Sequence, residues 1–247
     1  MNVTDLEEQA IIQYSRNWVK KNNKLLIEKF CSIEQFPPVE NPFTIFMAGS
    51  PGAGKTEFSK SFISVQEEEN PKIKIVRIDA DEIRNEIPRY DGKNSYLFQG
   101  AASLGVEKIF DYVKHNRQNC VVDGTLASYE VAKKNIENSI SKNRKVSIFY
   151  LYQDPFVAWN FTLIREKQEG RNIPKQAFVD TLFSAKDNVQ RLKKEYGKTL
   201  LLNVVIRNFE NKIEKLHLNV DSIDSYVKLG YNADSLKKDL LDSILVK

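Results

Sequence analysis

The sequence contains little cysteine and histidine, and it has no long apolar run. Two cysteines among 247 residues argue against a disulfide scaffold, and we expect Cys31 and Cys120 to be buried, reduced thiols. Two histidines and no Cys/His cluster give no basis for a structural zinc site. No stretch reaches about 18 apolar residues, and the acidic start lacks the apolar core of a signal peptide. We therefore expect a cytoplasmic protein that does not enter a membrane.

The charge balance is also modest. Lys plus Arg (37) exceed Asp plus Glu (33), which gives a formal net charge of +4, and the charges are spread along the chain. Because no basic tail is present, we do not expect nucleic acid as a partner. An apolar fraction of 41% is enough for a sizeable core.

Short apolar runs alternate with helical patterns, which is typical of an α/β fold with a parallel sheet flanked by helices. Prolines 37, 38 and 42 separate an N-terminal helical extension, residues 1–40, from an α/β domain, residues 41–220. A short helical tail, residues 221–247, follows. The predicted strands are 43–48, 73–78, 120–122, 146–151 and 200–206. The predicted helices are 5–35, 55–66, 95–116, 128–142, 155–169 and 174–195.

A complete phosphate-binding motif, G-x-x-x-x-G-K-[ST], follows the first predicted strand and precedes a helix. Its backbone amides and the helix N-terminus are suited to the phosphates of ATP. Lys55 supplies a charge for the β- and γ-phosphates, and the Thr56 hydroxyl is a ligand for Mg²⁺. The predicted cofactors are therefore ATP and Mg²⁺, bound by Gly49, Ser50, Pro51, Gly52, Ala53, Gly54, Lys55 and Thr56. The motif predicts a P-loop NTPase-type fold.

Carboxylates end two further predicted strands. Asp79 and Asp81 close the second strand, and they share a face if that strand stays extended. One of them could accept a proton from an attacking hydroxyl, or either could cap the next helix. Asp123, at the end of the third strand, is a candidate for orienting metal-bound water, and Asp123-Gly124 is alternatively an ordinary turn.

Arg165 and Arg171 flank Gly170. Six helical residues turn through about 600°, or about 240° net, so on one continuous helix the two would point apart. A helix end at Gly170 instead leaves Arg171 in a loop that can swing inward. Mobile arginines that close over a transferring phosphate form the lid of small kinases. The alternative is a pair of solvated arginines on a charged face. The guanine-reading motif N-K-x-D is absent, and its nearest match, residues 211–214, falls in a predicted turn.

Together these motifs resemble the zeta toxin kinases over about residues 42–220. The resemblance implies a P-loop kinase that phosphorylates the 3′-hydroxyl of the sugar in UDP-N-acetylglucosamine and acts as the toxin of a toxin–antitoxin pair. The matching runs are Phe46–Thr56, Ile78–Asp81, Val122–Thr125, Arg165 and Arg171–Gln176.

Roles follow from the resemblance by motif position. Lys55 and Thr56 contact phosphate and Mg²⁺, Asp81 is the base that deprotonates the acceptor hydroxyl, and Arg165 and Arg171 are the lid arginines.

The acceptor pocket departs from the family pattern. Asp123 stands where the family usually has glutamate, and Ala127 stands where toxin members commonly have an arginine. A count back from Asp123 without gaps places Glu107 at the family's substrate-hydroxyl ligand, and Thr125 would line the same pocket.

Alternatives remain open from the sequence. The acceptor could be a UDP-sugar, a nucleoside, an antibiotic or a nucleic-acid end, and a non-kinase ATP-dependent switch is a further option. Residues 1–40 are either a brace on the sheet or a built-in inhibitor that covers the ATP site. A separate small antitoxin protein is the other expected partner.

Overall fold

The computed structural model describes residues 3–170, 172–210 and 212–240. These residues form one six-stranded sheet covered by helices, and the predicted α/β class is confirmed. The strands are buried, which explains why they appear in the sequence as nearly continuous apolar runs. They are β1 (Phe43–Ala48), β2 (Ile75–Asp79), β3 (Asn119–Asp123), β4 (Lys145–Tyr152), β5 (Leu200–Arg207) and β6 (Ile213–His217).

The strand order is β2-β3-β1-β4-β5-β6. The first five strands are parallel, and β6 pairs antiparallel with β5. β1 is therefore central, with β3 on one side and β4 on the other. Because ligands of such sheets bind at the carboxyl ends of the strands, residues that follow β1, β2 and β3 meet in one crevice.

Nine α-helices lie within the described residues. They are α1 (Val3–Lys21), α2 (Asn23–Cys31), α3 (Lys55–Glu69), α4 (Ala80–Asn85), α5 (Ser95–His115), α6 (Tyr129–Ile140), α7 (Pro155–Glu169), α8 (Lys175–Tyr196) and α9 (Ala233–Asp239).

The main apolar core lies between the sheet and helices α1, α2, α5 and α8, and it includes Val19 and Leu26 from the N-terminal helices. On the other face, Phe58 and Phe62 of α3 pack against Phe149 of β4, with ring centroids 5.2 and 5.7 Å apart. Both faces of the sheet are thus covered, as a parallel sheet requires.

The N-terminal helices differ from the single helix predicted over 5–35. The helix is interrupted at Asn22, whose side-chain amide donates a hydrogen bond to the Trp18 carbonyl. Asparagine competes for backbone groups in this way and is a poor helix former. α1 and α2 then pack side by side on α5.

Two short elements were not predicted. α4 follows β2 directly, and β6 forms the edge of the sheet although its first two residues belong to the turn predicted over 211–214. Both are only five or six residues long, and β6 is largely exposed, so neither carries a clear apolar period.

The C-terminal tail is helical only over α9 within the described residues. Leu236 and Leu240 are buried against α7 and α8. Residues 241–247 of the predicted tail lie outside the described residues.

Both cysteines are buried and unbridged, as predicted. In the part of the chain that the structure describes, no helix combines the length and apolarity needed to cross a bilayer.

Candidate active site

The phosphate loop connects β1 to α3 and depends on glycine at close approaches. Gly49 has φ 131°, and a Cβ atom there would lie 2.3 Å from the carbonyl oxygen of Leu151. Gly52 has φ 71°, and its Cβ would lie 2.0 Å from the carbonyl oxygen of Ala158 on α7. Both conformations are accessible to glycine at little cost. The loop is therefore held against β4 and α7 by contacts that no side chain would permit.

Lys55 begins α3 and turns back over the loop. Its ammonium group donates to the carbonyl oxygens of Gly49, at 3.0 Å, and Ser50, at 2.6 Å. The backbone amides of the first turn of α3 have no intrahelical acceptor, so this end of the helix favours an anion.

A cleft of about 460 Å³ opens beside the loop at the carboxyl edge of the sheet. It combines the loop with the ends of β2 and β3 and with one face of α7. The predicted site residues that line it are Pro51, Gly52, Gly54, Lys55, Thr56, Asp81, Asp123, Thr125 and Arg165. Gly49, Ser50 and Ala53 belong to the same loop but do not line the cleft.

Asp79 and Asp81 take different positions, not the shared strand face expected if β2 stayed extended. β2 ends at Asp79, whose Oδ1 accepts the Asp81 amide at 2.8 Å and so caps α4. Asp81 lies in the first turn of α4, and its side chain is 34% exposed. The alternative of a capping aspartate thus applies to Asp79, while Asp81 faces the cleft.

Asp81 is held by an arginine one turn further along α4. Arg84 donates Nη1 to Asp81 Oδ1 at 2.6 Å and Nη2 to Gln99 Oε1 at 2.7 Å. Both Arg84 and Gln99 line the cleft. Sequence reasoning missed both, although an arginine three residues after an aspartate on a helix is a recognisable pairing.

A second arginine lies among the carboxylates of the strand ends. Arg77 of β2 bonds to Asp79, to Asp123 at 2.6 Å and to Glu82 at 2.5 Å. Burial lowers the pKa of Arg77, but these three carboxylates outweigh it and the pKa is raised. Burial, followed by the nearby Asp123 carboxylate, raises the pKa of Asp79, and Arg77 offsets part of that rise. Arg77 and Asp79 lie on one strand face at i and i+2, the signal that could have revealed the pair.

The Asp123 carboxylate accepts hydrogen bonds from two neighbouring side chains. Its Oδ2 accepts from Arg77 Nη2 and from the Ser59 hydroxyl, at 3.0 Å. Among the described residues, no group of three or more His, Cys, Asp or Glu side chains is arranged to hold a metal. Mg²⁺ usually keeps several waters and takes few protein ligands beside substrate phosphates, so the Thr56 hydroxyl and the Asp123 carboxylate fit a nucleotide-bound ion.

Arg165 reaches the cleft from α7. Asp154 caps the start of this helix by accepting the amides of Phe156 and Val157, and Gly170, at φ 73°, ends it as predicted. Arg165 Nη2 lies 3.4 Å from Glu169 Oε2. Burial lowers the pKa of Arg165, but Glu169, with Asp81 and Glu57, more than compensates and the pKa is raised. Arg171 lies outside the described residues.

The placement of Glu107 corrects the sequence prediction. Glu107 is exposed on α5 and is absent from the cleft, whereas Gln99 of the same helix lies in it. Eight helical residues separate the two, about 12 Å along the axis. The count back from Asp123 used only the distance along the chain. It could not show which residue of α5 faces the cleft.

The loop after β3 carries Thr125. The Thr125 hydroxyl accepts the Ala127 amide at 3.3 Å, and Asn188 of α8 donates to the carbonyls of Leu126 and Ala127. The loop is thus fixed from α8, with Thr125 facing the cleft.

The N-terminal helices lie away from the cleft. α1 and α2 pack on α5, and of residues 3–40 none lines the cleft. This location favours the brace over a cover for the ATP site, and the brace stays a prediction.

The chain resembles known proteins in sequence and in fold. The chain is 27% identical to Toxin PezT of Streptococcus pneumoniae serotype 4 (strain ATCC BAA-334 / TIGR4) over 168 residues. The match covers 62% of this chain and 64% of PezT, so it spans less than two thirds of that relative.

Solved structures share the fold. One, from work on the PezAT chromosomal toxin–antitoxin system of Streptococcus pneumoniae, has a TM-score of 0.60 and 20% identity, covering 94% of this chain and 88% of the other. Another, AvrRxo1-ORF1:AvrRxo1-ORF2 with ATP, has a TM-score of 0.56 and 12% identity, covering 85% and 64%. The family model named Zeta toxin matches residues 28–221, well over half of the chain. The chain therefore belongs to the zeta toxin family.

Proposed function

We propose that the chain is an ATP-dependent kinase that transfers the γ-phosphate to a hydroxyl group of a small-molecule acceptor. The observation that carries the proposal is the shared cleft, which Lys55, Thr56, Asp81 and Arg165 line together. A phosphate loop, a carboxylate and a cation around one space are the parts that phosphoryl transfer needs. Family membership and the fold support the same activity.

The donor is bound at the loop. The backbone amides of residues 49–56 and the Lys55 ammonium hold the β- and γ-phosphates. Lys55 exchanges its carbonyl contacts with Gly49 and Ser50 for phosphate oxygens. Thr56 and Asp123 would hold the Mg²⁺ ion that accompanies ATP, and the ion would supply charge that offsets that of the phosphates. The ATP complex of AvrRxo1-ORF1:AvrRxo1-ORF2, a protein of the same fold, is consistent with this donor.

Asp81 is the general base. It accepts the proton of the acceptor hydroxyl as that oxygen forms a bond to the γ-phosphorus, and the bond from the γ-phosphorus to the bridging oxygen breaks to release ADP. Arg165 stabilises the charge on the transferring group, and Arg171 is proposed to join it from the loop after α7. One preorganised charge of this kind contributes about 2.7–4 kcal/mol to barrier lowering.

The proposed acceptor is a UDP-sugar, with UDP-N-acetylglucosamine as first candidate from the family resemblance. Ala127 stands in the loop after β3, where toxin members commonly carry an arginine, and this favours including other hydroxyl acceptors in the test. Nucleosides and antibiotics belong to that group.

The proposed biological role is the toxin of a toxin–antitoxin pair, with a small antitoxin protein as partner. The relative PezT is named a toxin, and the PezAT structure comes from a toxin–antitoxin system. Expression of the chain with and without a neighbouring small gene, followed by growth measurement, tests this role.

Turnover of ATP with a panel of acceptors tests the activity. The panel contains UDP-sugars, nucleosides, aminoglycosides and oligonucleotides, and mass spectrometry identifies any phosphorylated product. We expect turnover that depends on one acceptor class. ATP hydrolysis that no acceptor stimulates, together with partner binding that ATP changes, would instead identify a nucleotide-dependent switch.

A further inference from the structure

Arg84 is a charged side chain buried beside the proposed base. Its side chain is 2% exposed, whereas that of Asp81 is 34% exposed. The guanidinium carbon lies 5.9 Å from the centroid of the Tyr90 ring. The arginine is therefore the fixed member of the pair, and the carboxylate is the member that solutes can reach.

The anchor for this arginine is α5. Gln99 of α5 accepts from Arg84 Nη2, while Arg84 Nη1 binds Asp81 Oδ1. α4 also packs on α5 at close range, because a Cβ atom at Gly105 would lie 2.5 Å from Ile83 Cγ2. A chain of contacts thus runs from α5 through Gln99 and Arg84 to Asp81.

We propose that Arg84 is a positioning residue that holds the Asp81 carboxylate in the orientation needed to receive the acceptor proton, with Gln99 fixing the guanidinium. This inference rests on the proposed function. One carboxylate oxygen is bound at 2.6 Å, so rotation about the Asp81 side chain is restricted. Proton transfer requires such alignment, and a 1 Å displacement can reduce a rate about 10²-fold.

A purely structural ion pair explains the contact less well. For an ion pair with a buried member, the cost of removing the charge from water can exceed the Coulombic gain, so the pair is weak evidence for a stabilising role. Arg144, 5% exposed at the opposite end of the sheet, is buried with hydroxyl and carbonyl acceptors instead. This fold can therefore bury an arginine without using a carboxylate, and the carboxylate that Arg84 binds lines the cleft.

The test compares Arg84→Met and Arg84→Lys with Arg144→Met as the matched control for loss of a buried arginine. Each full-length protein is assayed for kcat and KM with the acceptor found by the panel, and for binding of a non-hydrolysable ATP analogue by calorimetry. We expect kcat of Arg84→Met to fall about 10²-fold, with analogue affinity and the KM for ATP changed less than about twofold. Arg84→Lys, which keeps one donor and the charge, should recover part of kcat.

The control separates positioning from stability. Arg144→Met should lower the Tm while its kcat per folded molecule stays close to wild type. A wild-type kcat in Arg84→Met, or a loss no greater than that of Arg144→Met, would overturn the inference. If Arg84→Met does not fold, Arg84→Gln, which also removes the charge, takes its place under the same criteria.

A crystallographic readout keeps the inference separate from the proposed function. Crystal structures of wild type and Arg84→Met should show Asp81 in different side-chain orientations. If wild-type protein phosphorylates no acceptor, the proposed function fails, and an unchanged Asp81 orientation would then count against the role of Arg84 as well.

Discussion

Both ends of the sheet bury an arginine, and the two arginines have different acceptors. At the amino end, Arg144 donates to the Thr44 hydroxyl and to the carbonyls of Phe43 and Gln118, each at 2.6 Å. Burial lowers the pKa of Arg144. At the carboxyl end, Arg77 lies among three carboxylates and its pKa is raised despite burial.

The difference separates a structural arginine from one in an electrostatic site. Arg144, just before β4, connects β1 to the segment before β3 through hydrogen bonds to uncharged acceptors. At the carboxyl end, buried Asp79 and Asp123 concentrate negative charge beside the phosphate loop, and Arg77 limits it. Titratable groups with shifted pKa values, such as Arg77 and Asp79, tend to cluster at functional sites.

Arg77→Met should have the largest effect on stability. Removing one member of a buried ion pair costs about 3–5 kcal/mol, because the remaining charges lose their counter-ion. The pKa of Asp79 is already raised in the folded protein, so its protonation favours folding, and the penalty should be greatest near neutral pH and shrink as the pH falls. The free energy of unfolding, measured with urea at several pH values between about 5 and 8, reports this dependence.

Asp81→Ala and Lys55→Ala should have the largest effects on activity. Each removes one charge of the cleft, with an expected loss of about 10²–10³ in kcat. Donor affinity distinguishes them, since Lys55→Ala should weaken binding of an ATP analogue and Asp81→Ala should not. An Asp81→Ala enzyme that keeps more than about a tenth of wild-type kcat would refute the general-base assignment.

Arg144→Met should have a smaller effect than Arg77→Met. An unsatisfied neutral acceptor costs less than an unsatisfied charge, and Arg144→Met leaves neutral acceptors whereas Arg77→Met leaves buried carboxylates. None of the acceptors given above for Arg144 is a carboxylate. The loss in free energy of unfolding should therefore be the same between about pH 5 and pH 8, the interval used for Arg77→Met. A clear pH dependence in this variant would contradict the distinction between the two ends.

Glu195→Gln should have the smallest effect. Hydrogen bonds from Lys133 and Tyr129 lower the pKa of Glu195, which is exposed. A carboxyl whose pKa is lowered by folding stabilises the fold at pH values above its pKa in the unfolded chain. This stabilisation is lost as the pH falls through the folded-state pKa, so the small Tm difference should vanish in acid. Equal Tm differences at neutral and acidic pH would show that the ion pair contributes nothing.

The sequence predicts the phosphate loop and the parallel sheet because each has a strong local signal. The loop requires particular residues at fixed spacing, and five buried strands give apolar runs. Short elements such as α4 and β6 lack such a period, and the end of β2 depends on whether Asp79 caps a helix.

The parts of the site that the sequence does not reveal are those made by tertiary contact. Gln99 carries no charge, and it enters the cleft only because α5 packs on α4. Glu107 is better matched chemically to a substrate hydroxyl, yet helix register places it on the exposed surface. Charge and spacing along the chain therefore locate the strand ends better than they locate the helix that faces them.

The close approach of Gly52 to Ala158 has a consequence for protein engineering. The nucleotide loop and the arginine-bearing helix meet at a close backbone contact, and that contact leaves no room for a side chain at Gly52. A chimera that exchanges only one of these segments with a relative would have to reproduce the same separation. The two segments should therefore be transplanted as a single cassette.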